Sequence, residues 1–245
     1  KEIEIDLRSN KRMFRIIQGD VGSGKTIVAL LAASKAMESK FQCALMAPTE
    51  ILAKQHYILT KKIFKNIKSN IAFLTGKTEY KKKRKILNGL NDGSIDFIIG
   101  THSLFQKKIL FKNLGLAIVD EQHKFGVKQR MNLAKKGGNN CDVLLMSATP
   151  IPRTMVMTIY GDMNISKITE KPMNRKKIIT LSKPEVKISE LWPFIKKEVN
   201  SNNQIFWVCP LIDESQFLNY SSVSKRFTLL DNLFPKEVGL IHGAI

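Results

Sequence analysis

Apolar residues along this 245-residue chain fall into short continuous runs, separated by longer stretches where they recur every three or four positions. The runs Met13–Gln18, Gln42–Ala47, Ile71–Thr75, Asp96–Ile99, Leu114–Val119 and Asp142–Met146 read as strands apolar on both sides, as strands of a parallel sheet are. Helical periodicity fills the gaps, from Thr26 to about Ser39, from Ile51 to about Ile67, and from Lys77 to Leu90. A further short helix precedes a strand over Ile165–Thr169. Thr49 stands where it can cap the second helix, and Gly76 and Gly100 stop strands. Strand and helix in alternation predict an α/β fold, a parallel sheet with helices on both faces.

The pattern breaks at Lys171-Pro172-Met173-Asn174-Arg175, where turn residues gather. A domain over 1–172 and a linker over 173–176 are expected from that break. Alternation then restarts with a strand at Lys177–Leu181, a helix at about Val186–Asn200, a strand at Gln204–Cys209, a helix ending near Leu233 and a strand at Glu237–Ile241. That is the opening part of a second α/β domain over 177–245. A chain starting at Lys1 and stopping at His242-Gly243-Ala244-Ile245, at the end of a strand-like run, is expected to be a piece of a longer protein.

Composition narrows the picture only a little. Hydrophobic residues make up 43% of the chain, ample for a packed core. No apolar run approaches the ~20 residues a membrane-spanning helix needs, and no signal-peptide layout stands at the start. Cys43, Cys141 and Cys209 are odd in number, lie in apolar runs and show no metal-type spacing, so reduced core thiols in a cytoplasmic protein are expected. His56, His102, His123 and His242 are too dispersed to suggest a metal site. The net charge of +19, from 40 Lys and Arg against 21 Asp and Glu, favours a polyanionic partner such as nucleic acid. The run Lys81–Lys85 fits an ordinary solvated helix face as well as a binding surface.

The candidate chemistry starts at Gly19-Asp20-Val21-Gly22-Ser23-Gly24-Lys25-Thr26, which fits G-x-x-x-x-G-K-[ST] between a strand and a helix start. Glycines let successive amides converge on one concavity, and the helix N-terminus adds partial positive charge. Lys25 is expected to reach the β- and γ-phosphates of ATP, with the Thr26 hydroxyl on Mg²⁺. About a hundred residues later, the apolar Leu116–Val119 runs into Asp120-Glu121-Gln122-His123. Asp120 would hold Mg²⁺, and Glu121 would orient and polarise the attacking water.

These motifs, with Ala47-Pro48-Thr49-Glu50 running on to Gln55-His56, Gly100-Thr101-His102-Ser103-Leu104, Asp120 through Arg130, and Ser147-Ala148-Thr149-Pro150 through Thr154, resemble in content and order those of superfamily 2 DNA helicases. The longer phrases resemble the bacterial branch-migration group, and the resemblance extends into Trp207–Ser215 and Val238–Gly243. Transcription-repair coupling translocases share several phrases, but Gln122 and Ser23 depart from their pattern.

The resemblance implies a RecA-like P-loop fold followed by the first part of a second RecA-like domain. It implies an ATP-dependent translocase that regresses stalled forks and migrates Holliday junctions in recombination and repair. The implied partners are branched or double-stranded DNA and, as a candidate, single-stranded-DNA-binding protein, with the enzyme a monomer. It also implies γ-phosphate sensing by Gln122 and His123, coupling of hydrolysis to movement by Ser147 and Thr149, and DNA-backbone contacts at Thr49, Gly76, Thr101 and His102. An arginine that completes the ATP site is implied beyond Ile245, so the chain alone is expected to be incomplete for turnover. Two other readings stay open on the residues, a translocase coupled to RNA polymerase and a non-enzymatic nucleic-acid-binding module.

Overall fold

The computed structural model describes residues 1–106, 108–121, 136–138, 141–149, 163–170, 178–210 and 222–242. The chain divides into two compact units, Lys1–Lys176 and Lys177–Ile245.

The first unit is built on one seven-stranded, wholly parallel sheet. Its strands are β1 (Phe14–Gly19), β2 (Gln42–Met46), β3 (Ile71–Leu74), β4 (Phe97–Gly100), β5 (Leu114–Val119), β6 (Asp142–Ser147) and β7 (Asn164–Ile168), in the order β3-β4-β2-β5-β6-β1-β7. Among the described residues of this unit are four α-helices, α1 (Glu2–Arg8), α2 (Lys25–Glu38), α3 (Glu50–Ile63) and α4 (Tyr80–Asp92). Successive strand residues divide between two core clusters. Ile16, Met46, Ile98, Val119 and Leu145 enter one, while Ile17, Leu45, Ile99, Ile118 and Leu144 enter the other. Alternation of side chains across a strand therefore buries both faces, which is why these runs contain almost no polar residue. Each such side chain, removed from water, contributes about 1.5–3 kcal/mol.

The helices start and stop for local reasons. Thr49 caps α3, its hydroxyl accepting from Leu52 N at 3.3 Å. Gly93, at φ 83°, ends α4 in the left-handed region. Three strands, β1, β4 and β6, run one residue further than their apolar runs, because the next residue still finds a partner, Ser147 pairing with Gln18. Gly19 pairs with Ile168 and Gly100 pairs with both Met46 and Leu74.

Helix α1 is absent from the sequence expectations. It is fastened by Arg15 of β1, whose guanidinium donates to Asp6 at 2.7 Å, Glu2 at 3.2 Å and the Ser166 hydroxyl at 2.7 Å. A cation in an inward-facing strand position drew these partners from both sequence neighbours and β7.

The described residues of the second unit include a 3₁₀ stretch at Glu185–Leu191 and two helices, α5 (Trp192–Asn200) and α6 (Val223–Leu233). Trp192 stacks on Trp207 with ring centroids 5.7 Å apart, and the Arg226 guanidinium lies 5.1 Å from the Trp207 ring centroid. The strands expected at Lys177–Leu181, Gln204–Cys209 and Glu237–Ile241 do not form among the described residues. Their apolar side chains are solvent-facing instead, with Ile179 81%, Phe206 86% and Ile241 92% exposed. A strand apolar on both sides holds its shape only with ladder partners and covering helices. The described part of this unit supplies too few of either for those strands to form.

Candidate functional site

Parallel strands all end on the same rim, and in open α/β sheets that rim is where ligands sit. The rim here collects the sequence-predicted residues in a definite order. β1, β6 and β5 are neighbours, so the phosphate loop after Gly19, the Ser147–Thr149 turn and Asp120-Glu121 stand side by side. With Gln18 level with Ser147 and Val119 level with Leu145, the loop and Asp120 are two strand spacings apart, about 10 Å. Three of the remaining four strands, β2, β4 and β3, lead into Thr49, Thr101-His102 and Gly76 respectively.

The loop turns on two glycines in the left-handed region, Gly22 at φ 80° and Gly24 at φ 94°. Gly24 caps α2, and Val28 N donates to Gly24 O at 3.2 Å, so the amides of Lys25, Thr26 and Ile27 precede the first helical bond. The Lys25 ammonium folds back across the loop, donating to Gly19 O at 2.7 Å and Asp20 O at 2.9 Å. Ser23 N donates to Asp20 O at 3.1 Å and Val21 N to the Asp20 carboxylate at 2.7 Å, closing the turn. Ser23 sits over Gly19, where an added Cβ would lie only 2.6 Å from Ser23 Oγ, and that hydroxyl is buried with no hydrogen-bond partner. A cradle of helix-start amides, one ammonium and an unpaired buried hydroxyl suits an anion of phosphate shape.

Asp120 is 8% exposed, and both of its oxygens are engaged. Oδ1 accepts from Glu121 N at 3.0 Å and Oδ2 lies 2.8 Å from His56 Nε2. Glu121 has φ 45°, a left-handed conformation that costs a glutamate on the order of 1 kcal/mol or more. Such strain is characteristic of side chains aimed for a task. Ser147 is fully buried, and its hydroxyl meets Thr149 at both the carbonyl and the side-chain oxygen, each at 3.1 Å. The two candidate coupling residues thus hold each other. Gln122 and His123 lie outside the described residues, as do Phe125, Arg130 and Arg153.

Among the candidate DNA-contact positions, Thr49, Gly76 and His102 are exposed. Thr101 is 2% exposed, with its hydroxyl buried and unpaired. No group of three or more His, Cys, Asp and Glu residues that could hold a metal occurs among the described residues. A carboxylate and a hydroxyl fit Mg²⁺ that takes its remaining ligands from nucleotide phosphates and water.

His56, the partner of Asp120, is a residue of the candidate site that sequence reading passed over. Its signal was position. Ala53, His56 and Thr60 are the buried residues of α3, a polar ring on the inward stripe of an amphipathic helix. A buried imidazole implies a polar partner, although nothing local reveals that it lies 64 residues on.

The DEAD/DEAH box helicase family model matches residues 4–158. The ATP-dependent DNA helicase RecG of Thermotoga maritima is 47% identical over 247 aligned residues, covering 100% of this chain and 32% of the relative. RecG of Bacillus subtilis is 42% identical, covering 100% of this chain and 36% of the relative. The chain therefore spans about a third of the length of the curated relatives it matches. A solved structure of RecG bound to a three-way DNA junction superposes with TM-score 0.77 at 40% identity, covering 95% of this chain and 30% of that one. The DEAD-box helicase Mss116 bound to single-stranded RNA superposes with TM-score 0.57 at 20% identity, over 82% of this chain and 46% of that one, which shows a shared fold.

Proposed function

The chain belongs to the DEAD/DEAH box helicase family, and on that premise we propose that it is the nucleotide-binding part of an ATP-dependent DNA translocase working on branched DNA. The observation that carries the reading is the convergence of the Lys25 loop, Asp120-Glu121 and Ser147–Thr149 on three adjacent strand ends. The RecG likeness over the whole chain supports the branched-DNA substrate.

In this reading the loop amides and Lys25 hold the β- and γ-phosphates, the ammonium exchanging its two backbone carbonyls for phosphate oxygens. Thr26 and Asp120 hold Mg²⁺, which when bound neutralises charge on the phosphates. Glu121 orients the attacking water and accepts its proton. Gln122 and His123 sense the γ-phosphate, and the Ser147–Thr149 pair passes the change onward. Thr49, Gly76, Thr101 and His102 form the DNA side of the rim, where contacts to the backbone fix position without reading sequence. The unit Lys177–Ile245 is the opening of a second RecA-like domain. Work on chromosomal DNA places the protein in the cytoplasm.

The test measures a fluorescent ATP analogue binding to the chain, and ATP turnover by a full-length protein that contains it, with a three-way junction against linear duplex. Lys25→Ala is expected to abolish binding, and Glu121→Gln to keep binding while abolishing any turnover. Undiminished binding by Lys25→Ala refutes the nucleotide site, and equal stimulation of turnover by junction and linear duplex refutes the branched substrate.

A further inference from the structure

Asp120 is gripped from two directions. Its Oδ1 takes the amide of the next residue, and its Oδ2 takes His56 Nε2 at 2.8 Å. Because the acceptor is a carboxylate, Nε2 carries the hydrogen. Without the imidazole, rotation about the Cβ–Cγ bond would be limited only by the Glu121 amide. With it, the plane of the carboxylate is set, and one lone pair on each oxygen is already used. The imidazole itself is well anchored. The pair is nearly dry, with the two side chains 10% and 12% exposed, and Thr60 Oγ1 donates to His56 O at 2.7 Å. The helix beneath it is pinned at its start by the Thr49 cap.

We infer that His56 is the positioning residue for the metal-holding carboxylate, fixing Asp120 in the orientation in which it receives a divalent cation. The inference rests on the reading of Asp120 as a Mg²⁺ holder. Hydrogen-bond partners of metal-binding groups typically set metal affinity by about tenfold to a hundredfold. His56 touches neither nucleotide nor water in this scheme, and its effect passes through Asp120 alone.

The experiment reads Mn²⁺ bound to the chain by electron paramagnetic resonance, in the presence of a non-hydrolysable ATP analogue, and separately reads binding of the analogue in EDTA. His56→Ala is expected to weaken Mn²⁺ binding about tenfold to a hundredfold while analogue binding in EDTA is unchanged. Two further variants separate positioning from packing. Gln places its amide N–H near the Nε2 position, and Asn, a methylene shorter, does not reach it. His56→Gln is therefore expected to recover most of the Mn²⁺ affinity and His56→Asn to remain weak. Equal recovery by Gln and Asn, or loss of metal-free binding in step with Mn²⁺ binding, overturns the inference. Asp120→Ala separates the two ideas. If it loses Mn²⁺ binding while His56→Ala keeps it, the positioning role fails and Asp120 stands as the metal holder. If both variants keep it, Asp120 is not the metal holder.

Discussion

Gly100 and Gly76 close neighbouring strand ends on the same rim, and the structure gives them opposite tolerances. A Cβ added to Gly100 would lie 2.2 Å from Leu74 O and 3.3 Å from Leu104 Cγ. Close carbon–oxygen approaches between strands are about 3.3 Å, so β3 and β4 would have to part by about 1 Å. Leu74 O also accepts from the buried Ser103 hydroxyl at 3.2 Å, and Gly100 O accepts from Ala47 N at 2.9 Å. Overpacking of this size costs about 1–3 kcal/mol, and weakening two hydrogen bonds adds roughly 1 kcal/mol or more. Replacing a strand glycine returns about 0.5–1 kcal/mol. Gly100→Ala should therefore destabilise the first unit by about 2–3 kcal/mol. At Gly76, by contrast, nothing lies within 4 Å of the added carbon. Gly76→Ala should leave stability unchanged or raise it by up to about 1 kcal/mol through the unfolded chain. Urea unfolding followed by circular dichroism measures both. Equal midpoints for Gly100→Ala and the unaltered chain would refute the packing argument, as would a Gly76→Ala loss matching that of Gly100→Ala. Because Gly76→Ala keeps the fold, any loss of DNA affinity it causes belongs to the contact rather than to stability.

Burial pushes the Cys43 thiol well up, with nearby Cys141 and Asp96 adding to it, and burial pushes Cys141 up to about 12. At pH 8 a disulfide reagent should modify only the half-buried Cys209 in the native chain, and Cys43 and Cys141 only after denaturation. At the α1 clamp the two partners are unequal, since the Arg15 side chain is 9% exposed and that of Asp6 19%. Asp6→Ala leaves a buried guanidinium short of a partner and should cost about 2–3 kcal/mol, whereas Arg15→Met leaves acids that can reach water and should cost less. Thermal unfolding ranks the pair, and the reverse order would refute the clamp argument. Thr49→Ala removes the α3 cap and should cost about 1 kcal/mol. Thr49→Asp keeps the cap while opposing a phosphate, so it should spare stability and weaken DNA binding in a filter assay.

The first unit was legible because its strands are apolar on both faces and its punctuation is chemical. Leu114–Val119 came out residue for residue, having a hard polar edge in Asp120. The sequence reading ends two strands at Gln18 and Ile99, yet Gly19 and Gly100 each continue a ladder, since pairing depends on a neighbour that local sequence does not display. The second unit shows the same dependence in reverse. Gln204–Cys209 has the composition of a buried strand, and composition alone cannot supply the neighbours. Spacing singles out Lys25, Asp120 and Glu121 as candidates, while His56 and the Arg15 clamp are long-range pairings of polar residues on otherwise apolar stripes.

Strand order explains which of these could be foreseen. Along the chain, rim loops follow in the order β1 to β6, but the sheet permutes them into β1, β6 and β5 on one side and β2, β4 and β3 on the other. The first group holds the candidate phosphate loop, the Ser147–Thr149 turn and the acidic pair; the second holds every candidate DNA-contact position. The boundary falls between β5 and β2, which pair through Ala44–Ala117 to Met46–Val119. Asp120 N extends that pairing by donating to Met46 O at 2.8 Å. The helix leaving β2 starts at Thr49 and packs on β4 and β3, and from there His56 reaches across to Asp120 at the end of β5. A histidine two turns along that helix meets Asp120 because of this adjacency. The connection between the two halves of the rim is thus a property of the β2–β5 pairing, and motif spacing carries no trace of it.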